Sequence, residues 1–203
     1  MDTLLSLDIV ALIKTAGYLG IFGIIFSESG LLIGLFFPGD SLLFTAGFLA
    51  SQGYLNILVL IILSFLGAVL GDSFGYFFGK KLGPKVFQKE DSFFFRKDHL
   101  VKAKNFYEKY GAKTIVLARF VPVVRTLAPV LAGVGEMRYA TFFLYNILGG
   151  TLWAVGLPLL GFYLGNLVPN VDRYLLPIIF VIIVASMVPA LYEAWRGHKK
   201  IKK

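Results

Sequence analysis

Three long apolar stretches, 54–79, 139–165 and 174–192, restrict this chain to folds that place helices in a lipid bilayer. A hydrocarbon core about 30 Å thick needs roughly 20 mostly apolar helical residues, each adding only about 1.5 Å. All three stretches meet that length. Of the 203 residues, 57% are hydrophobic and 16% charged, against about 25% charged in a soluble domain. The opening MDTLLSLD holds two acids and no early Lys or Arg, so no cleavable signal is expected. Cysteine is absent, which removes disulfides, thiol nucleophiles and thiolate metal sites. Polar chemistry is left to carboxylates, guanidinium groups and the backbone.

The formal net charge of +8 is concentrated in two places. Ten of the 20 Lys and Arg lie between Lys80 and Lys113, and five between Arg196 and Lys203. Short loops rich in Lys and Arg stay cytoplasmic, where they also face anionic lipid headgroups. Both clusters therefore belong inside, and no basic folded domain remains to bind nucleic acid.

With both clusters inside, the intervening chain crosses an even number of times, and 139–165 and 174–192 supply the two crossings. The apolar stretch 114–134 must then enter and leave by one face. Arg119, Pro122, Arg125 and Pro129 interrupt it, and proline breaks helical hydrogen bonding and restricts its predecessor. Residues 17–50 have the same character, interrupted at Glu28, Gly30, Gly34 and Pro38-Gly39-Asp40. Both read as re-entrant hairpins, with Pro38, Gly39, Pro122 and Pro129 as the breaks. Irregular backbone at membrane depth is tolerated only where protein buries it or water lines it, so the two hairpins should meet and wall a site.

The halves also repeat. At an offset of 82, Leu66-Gly67, Gly79 and Leu82-Gly83 fall on Leu148-Gly149, Gly161 and Leu164-Gly165. The expected fold is an all-α integral membrane protein forming one domain over 1–203. A first repeat covers 1–83, with hairpin 17–50 and membrane helix 54–79. A basic loop and amphipathic helix follow over 84–113, and the second hairpin and membrane helix 139–165 over 114–165. A C-terminal membrane helix over 174–195, anchored by Trp195 at the interface, leads to a basic tail over 196–203. The repeats run in opposite directions, an arrangement that many secondary transporters use to place a site near the midplane.

Four ionisable residues sit in the hairpins: Glu28 and Asp40 in the first, Arg119 and Arg125 in the second. A charge at the centre of a membrane helix costs about 2.5–3.5 kcal/mol, so such residues usually face a cavity and pair. Two acids facing two arginines make a neutral set. Plain ion pairs stapling the hairpins would explain the balance but not the helix breaks, whose free NH and CO groups can hold an ion or a phosphate. Arg119 and Arg125 suit a phosphate head, because a guanidinium offers a planar fork of donors and stays protonated. Glu28 and Asp40 would be the proton-coupling groups, since an anion engaging the arginines should let a carboxyl take a proton. Asp72 is a further candidate, lining the same cavity or reaching the inner interface near Lys80. Asn146 suits a hydrogen bond between helices, and Trp153 either packing or a cavity wall.

Enzyme signatures fail. His99 and His198 both lie in basic polar segments, leaving no embedded histidine as base, nucleophile or ligand. A P-loop, a GxSxG elbow and a paired-aspartate phosphotransferase motif are all missing. No catalytic residue, metal site or cofactor is expected.

Glu28-Ser-Gly-Leu-Leu, Phe37-Pro-Gly-Asp-Ser-Leu-Leu and Ala118-Arg-Phe-Val-Pro-Val-Val-Arg125, with Ala132-Gly133, Met137, Phe143, Asn146, Gly149 and Trp153, give the chain a second signature. On these residues it resembles the DedA family of bacterial membrane proteins, also known by its SNARE-associated or VTT domain, over nearly its whole length. The resemblance implies a multi-pass protein of the bacterial cytoplasmic membrane with its C-terminus inside. It implies movement of a lipid carrier with an anionic head, undecaprenyl phosphate in bacterial members and phospholipid scrambling in eukaryotic relatives, driven in the former by proton-motive force. The acidic and arginine positions on which members depend correspond to Glu28, Asp40, Arg119 and Arg125. Val123 departs from the Gly that many members carry after the proline, which bears on substrate preference. The competing expectation is a proton- or sodium-coupled exchanger of small ions, served by the same four charges. Membrane lipids are expected contacts, and a homo-oligomer is compatible with the sequence.

Overall fold

A computed structural model describes residues 17–31, 38–86, 107 and 110–167, and all regular structure among them is helical. Two helices are long and apolar enough to cross a membrane, over Ile57–Lys81 and Tyr139–Leu167. Their outward faces carry Leu58, Ile62, Leu66 and Phe74 on one and Leu144, Leu148, Leu152 and Tyr163 on the other, all exposed. Apolar faces of that extent need lipid or protein against them. The C-terminal helix expected over 174–195, the tail and most of the basic loop lie outside the described residues.

The first helix, α1, covers 17–30. α2 covers Gly39–Ser51 and starts where Pro38 has no N–H to extend a preceding helix, with Asp40 in its first turn, where the helix dipole favours an acid. It ends in a turn through Gly53, whose φ of +80° is a conformation open chiefly to glycine. α3 covers Ile57–Val86. It begins three residues later than the apolar run, because the Asn56 Oδ1 accepts the free N–H groups of Leu58 at 2.9 Å and Val59 at 3.2 Å. It also outlasts the apolar run beyond Gly79, since lysine side chains at a membrane edge extend toward water while the backbone stays helical.

The 114–138 segment divides into α4, Lys113–Ala118, and α5, Pro122–Val134. Val121 between them is extended, and Pro122 opens α5 at the position where its missing N–H is harmless. Pro129, expected as a break, lies inside α5, which continues through it. Proline there removes one hydrogen bond without turning the chain, because the flanking residues keep helical backbone. α6 covers Tyr139–Leu167 and likewise contains Pro158.

Close contacts give the relative directions. Phe22 lies against Gly67, Phe26 against Gly71, and Gly30 against Gly71 and Gly75, so α1 runs with α3. Phe65 meets Gly150, Asn146 donates to the Val69 carbonyl and Tyr76 stacks on Phe142, so α3 and α6 are antiparallel. Asp40 bonds Trp153, Phe44 faces Gly161, and Ser51 faces Gly165, so α2 runs with α6 and against α1. α1 and α2 thus point in opposite directions, and the end of α1 lies beside the middle of α3. α5 runs with α3, with Pro129 at Gly75 and Val130 at Gly79.

Each long helix therefore takes the second short helix of the other half. The closest approaches are Gly47 on Pro158 with Gly161 on Phe44, and Gly133 on Tyr76 with Gly79 on Val130. A Cβ at any of these four glycines would lie 2.0–2.1 Å from a carbonyl oxygen, so only a bare backbone lets the helices approach so closely. Tyr76 and Pro158 are 82 residues apart, as are Gly79 and Gly161. Two apolar clusters result, one built on Ile25, Leu43, Leu60, Ala68 and Ala154, the other on Tyr76, Ile115, Ala128, Ala132 and Phe142.

Candidate functional site

The ionisable residues collect where the two apolar clusters meet, at the ends of α1 and α4 and the starts of α2 and α5. Arg125, in the first turns of α5, donates from Nη2 to the Glu28 carboxylate and from Nη1 to Asp40 Oδ1 at 2.7 Å. Its guanidinium carbon sits 4.5 Å from the centre of the Trp153 ring, a distance at which the ring face attracts a cation. The Trp153 Nε1 donates to the same Asp40 oxygen at 2.6 Å. Glu28, Asp40, Arg125 and Trp153 are thus one bonded group drawn from α1, α2, α5 and α6.

Gly39 makes the group feasible. A Cβ on it would lie 1.5 Å from Glu28 Oε2, so the carboxylate rests directly on the N-terminal turn of α2. Backbone N–H groups and the positive end of the dipole favour an anion there. The Thr126 hydroxyl faces the Glu28 carbonyl at 3.4 Å, next to the end of α1.

Arg119, in the turn between α4 and α5, makes a second group. Its Nη2 donates to Asp72 on α3 and to the Asn146 Oδ1 on α6, while Asn146 donates its amide hydrogen to the Val69 carbonyl at 3.1 Å. Asp72, expected either in the cavity or at the inner interface, is 2% exposed and paired inside the protein. The antiparallel packing of α3 on α6 explains this, because it turns Asp72 and Asn146 toward the same turn. Gly149 and Gly150 give Arg119 its room, since a Cβ on Gly149 would approach the Arg119 side chain to 2.9 Å. Nothing in the local sequence marks these glycines as the floor of an arginine slot beyond their adjacency in a membrane helix.

All four predicted charges therefore come together, but in a different partnership from the simple set of two acids and two arginines. Both predicted acids hold Arg125, and Arg119 has its own carboxylate. The cluster contains three carboxylates and two guanidiniums. Glu28 Oε2, Asp72 Oδ1, Arg119 Nε and Nη1 and Arg125 Nε are buried without a hydrogen-bond partner among the described residues. Pro38 and Gly39 lie at the start of α2 and Pro122 at the start of α5, at the helix breaks, whereas Pro129 does not. No group of three or more His, Cys, Asp or Glu suited to a metal ion occurs among the described residues. The arrangement offers guanidinium donors to an anion and carboxylate oxygens to a proton or small cation.

Residues 37–163 match the VTT domain. The protein DedA of Escherichia coli K12 is 44% identical over 185 residues, covering 90% of this chain and 84% of that protein. An uncharacterized membrane protein of Mycobacterium leprae is 46% identical over 176 residues, 87% of this chain and 78% of its own. The inner membrane protein YqjA of E. coli K12 is 31% identical over 188 residues, 88% and 84% of the two chains. No solved structure matches. With the VTT domain running from the start of α2 through most of α6, more than half of the chain, and these relatives aligned over most of their length, the chain is a membrane protein of the DedA family.

Proposed function

We propose that the buried cluster is the head-group site of a lipid-phosphate translocase, and that undecaprenyl phosphate, returned across the bacterial cytoplasmic membrane, is its substrate. The observation that carries this reading is the pair of buried guanidiniums where two broken helix pairs meet beside the middle of two membrane-length helices. A polyprenyl phosphate has one small anion to shelter, and its tail can remain in lipid. A protein of 22.5 kDa could move it without a wide channel. No covalent step is needed.

The two broken pairs act as re-entrant hairpins of inverted repeats. Two features support this: α2 and α5, at about 20 Å each, are too short to cross alone, and the two halves make matched contacts at Gly47 and Gly133 and at Gly161 and Gly79. Glu28 and Asp40 couple transport to the proton gradient, releasing Arg125 when protonated. With Ser51 outside and Lys113 inside, accessibility of cysteines introduced at the two positions tests the topology; both reacting from one side would contradict it.

The surplus carboxylate favours one second reading, exchange of protons or sodium without lipid movement. Vesicles containing the purified protein and labelled polyprenyl phosphate separate the two. Lipid movement abolished by Arg119→Ala and Arg125→Ala supports the translocase. Ion flux with no lipid movement replaces it with the exchanger, and silence in both assays refutes both.

A further inference from the structure

The two arginines are held in unlike ways. Arg119 is enclosed: its side chain is 1% exposed, Asp72 is 2% exposed, Asn146 is fully buried, and Gly149 and Gly150 lie against it on α6. The Arg119 Nη2 donor is released only by displacing a buried aspartate and an asparagine that is itself tied to the Val69 carbonyl, and its unpaired Nε and Nη1 are themselves buried. Arg125 is equally buried, at 3%, but one of its partners is open, since the Asp40 side chain is 46% exposed. Asp40 uses one oxygen, Oδ1, for both Arg125 and Trp153. Rotating it outward frees two donors at once, Arg125 Nη1 and Trp153 Nε1, side by side and next to the open side of the cluster. Glu28, at 1% exposure, keeps Nη2 and holds the guanidinium in place. Releasing Asp40 leaves a carboxylate that is already half in contact with the surroundings, whereas releasing Asp72 would strand a buried charge, which is far more costly.

We infer that the arginines divide the work: Arg125 exchanges Asp40 for a phosphate monoester oxygen, with Trp153 Nε1 as a second donor, while Arg119 stays bound to Asp72 and Asn146 as a fixed positive charge. This rests on the phosphate-head reading above and goes further by assigning the exchanging arginine, the carboxylate that yields, and Asp72 as the positioning residue that keeps Arg119 from the ligand. Asp40 is then a competitor of the head group. Replacing it with asparagine should strengthen binding, whereas loss of a direct ligand would weaken it.

The test uses the full chain in detergent with Trp195→Phe, which leaves Trp153 as the sole tryptophan of the two in the sequence. Farnesyl monophosphate and inorganic phosphate are titrated separately while Trp153 fluorescence is recorded. Asp40→Asn is expected to tighten binding by roughly tenfold, the scale of one charge-assisted hydrogen bond no longer in competition. Arg125→Lys, which keeps the charge but loses the fork, should weaken binding by a similar factor, and Arg119→Lys by less than about threefold. Tightening with farnesyl monophosphate alone assigns the anion to a lipid, and tightening with both ligands assigns it to phosphate in general; either supports the exchange. Unchanged or weaker binding by Asp40→Asn, or a larger loss from Arg119→Lys than from Arg125→Lys, overturns it while leaving the head-group reading intact. No binding of either ligand by the parent or Asp40→Asn protein removes both.

Discussion

Replacing Gly39 with alanine should disrupt the site through one methyl group. The added Cβ would lie 1.5 Å from Glu28 Oε2 and 2.5 Å from Glu28 Cδ, far inside any real contact, so the carboxylate must leave the turn of α2. Glu28 is 1% exposed, with Ile25 and Leu43 among the buried residues on the adjoining helices, so water cannot receive it. Removing one partner of a buried ion pair costs about 3–5 kcal/mol. Arg125 keeps Asp40 at 2.7 Å, which places the expected loss near the lower end, about 3 kcal/mol. Alanine is otherwise no worse than glycine in a helix, so almost the whole cost should come from Glu28. In a Glu28→Ala background the same substitution should cost under about 1 kcal/mol, a coupling of about 2 kcal/mol between the two positions. Unfolding by sodium dodecyl sulfate in maltoside micelles, followed by circular dichroism, gives the four free energies of the cycle. Equal costs for Gly39→Ala in both backgrounds would refute the argument that Glu28 rests on this turn.

Four further outcomes are expected from the packing and pairing described above. Gly79→Ala and Gly161→Ala, each driving a Cβ to 2.1 Å from a carbonyl oxygen, should lower stability by similar amounts of about 1–3 kcal/mol. Gly156→Ala, with nothing within 4 Å, should be neutral or slightly stabilising in the same unfolding assay. Asp72→Asn and Arg119→Gln should each cost about 3–5 kcal/mol by stranding a buried charge, and the double variant should cost clearly less than their sum; strict additivity in the unfolding cycle would argue against a direct pair. Trp153→Phe keeps an aromatic face for Arg125 but loses the 2.6 Å donor to Asp40, so a loss of about 1.5–3 kcal/mol is expected from thermal unfolding, and a stability equal to the parent's would mean that the Asp40 bond contributes nothing.

Much of the architecture was legible in the amino-acid order. The apolar runs at 54–79 and 139–165 foretold α3 and α6, because apolar length is a local property, although α3 continues past its run to Val86 while α6 ends close to the end of its own. Pro38 and Pro122 marked the starts of α2 and α5 for an equally local reason, the missing N–H. Pro129 misled, since a proline inside a helix removes a hydrogen bond without dictating that the chain turn. The convergence of Glu28, Asp40, Arg119 and Arg125 could be anticipated from the cost of charge in a bilayer, which requires that such residues meet.

Which acid meets which arginine was decided by packing alone. The antiparallel pairing of α3 with α6 carries Asp72 to Arg119, 47 residues away. The pairing of α5 and α6 with α1 and α2 carries Arg125 to Glu28, 97 residues away, and Trp153 to Asp40, 113 away. A helical period tells which residues share a face but contains no information about the helix that face will meet. The approach of the faces depends on glycines whose effect is felt only against a distant backbone, as at Gly30 against Gly71 and Gly149 against Arg119.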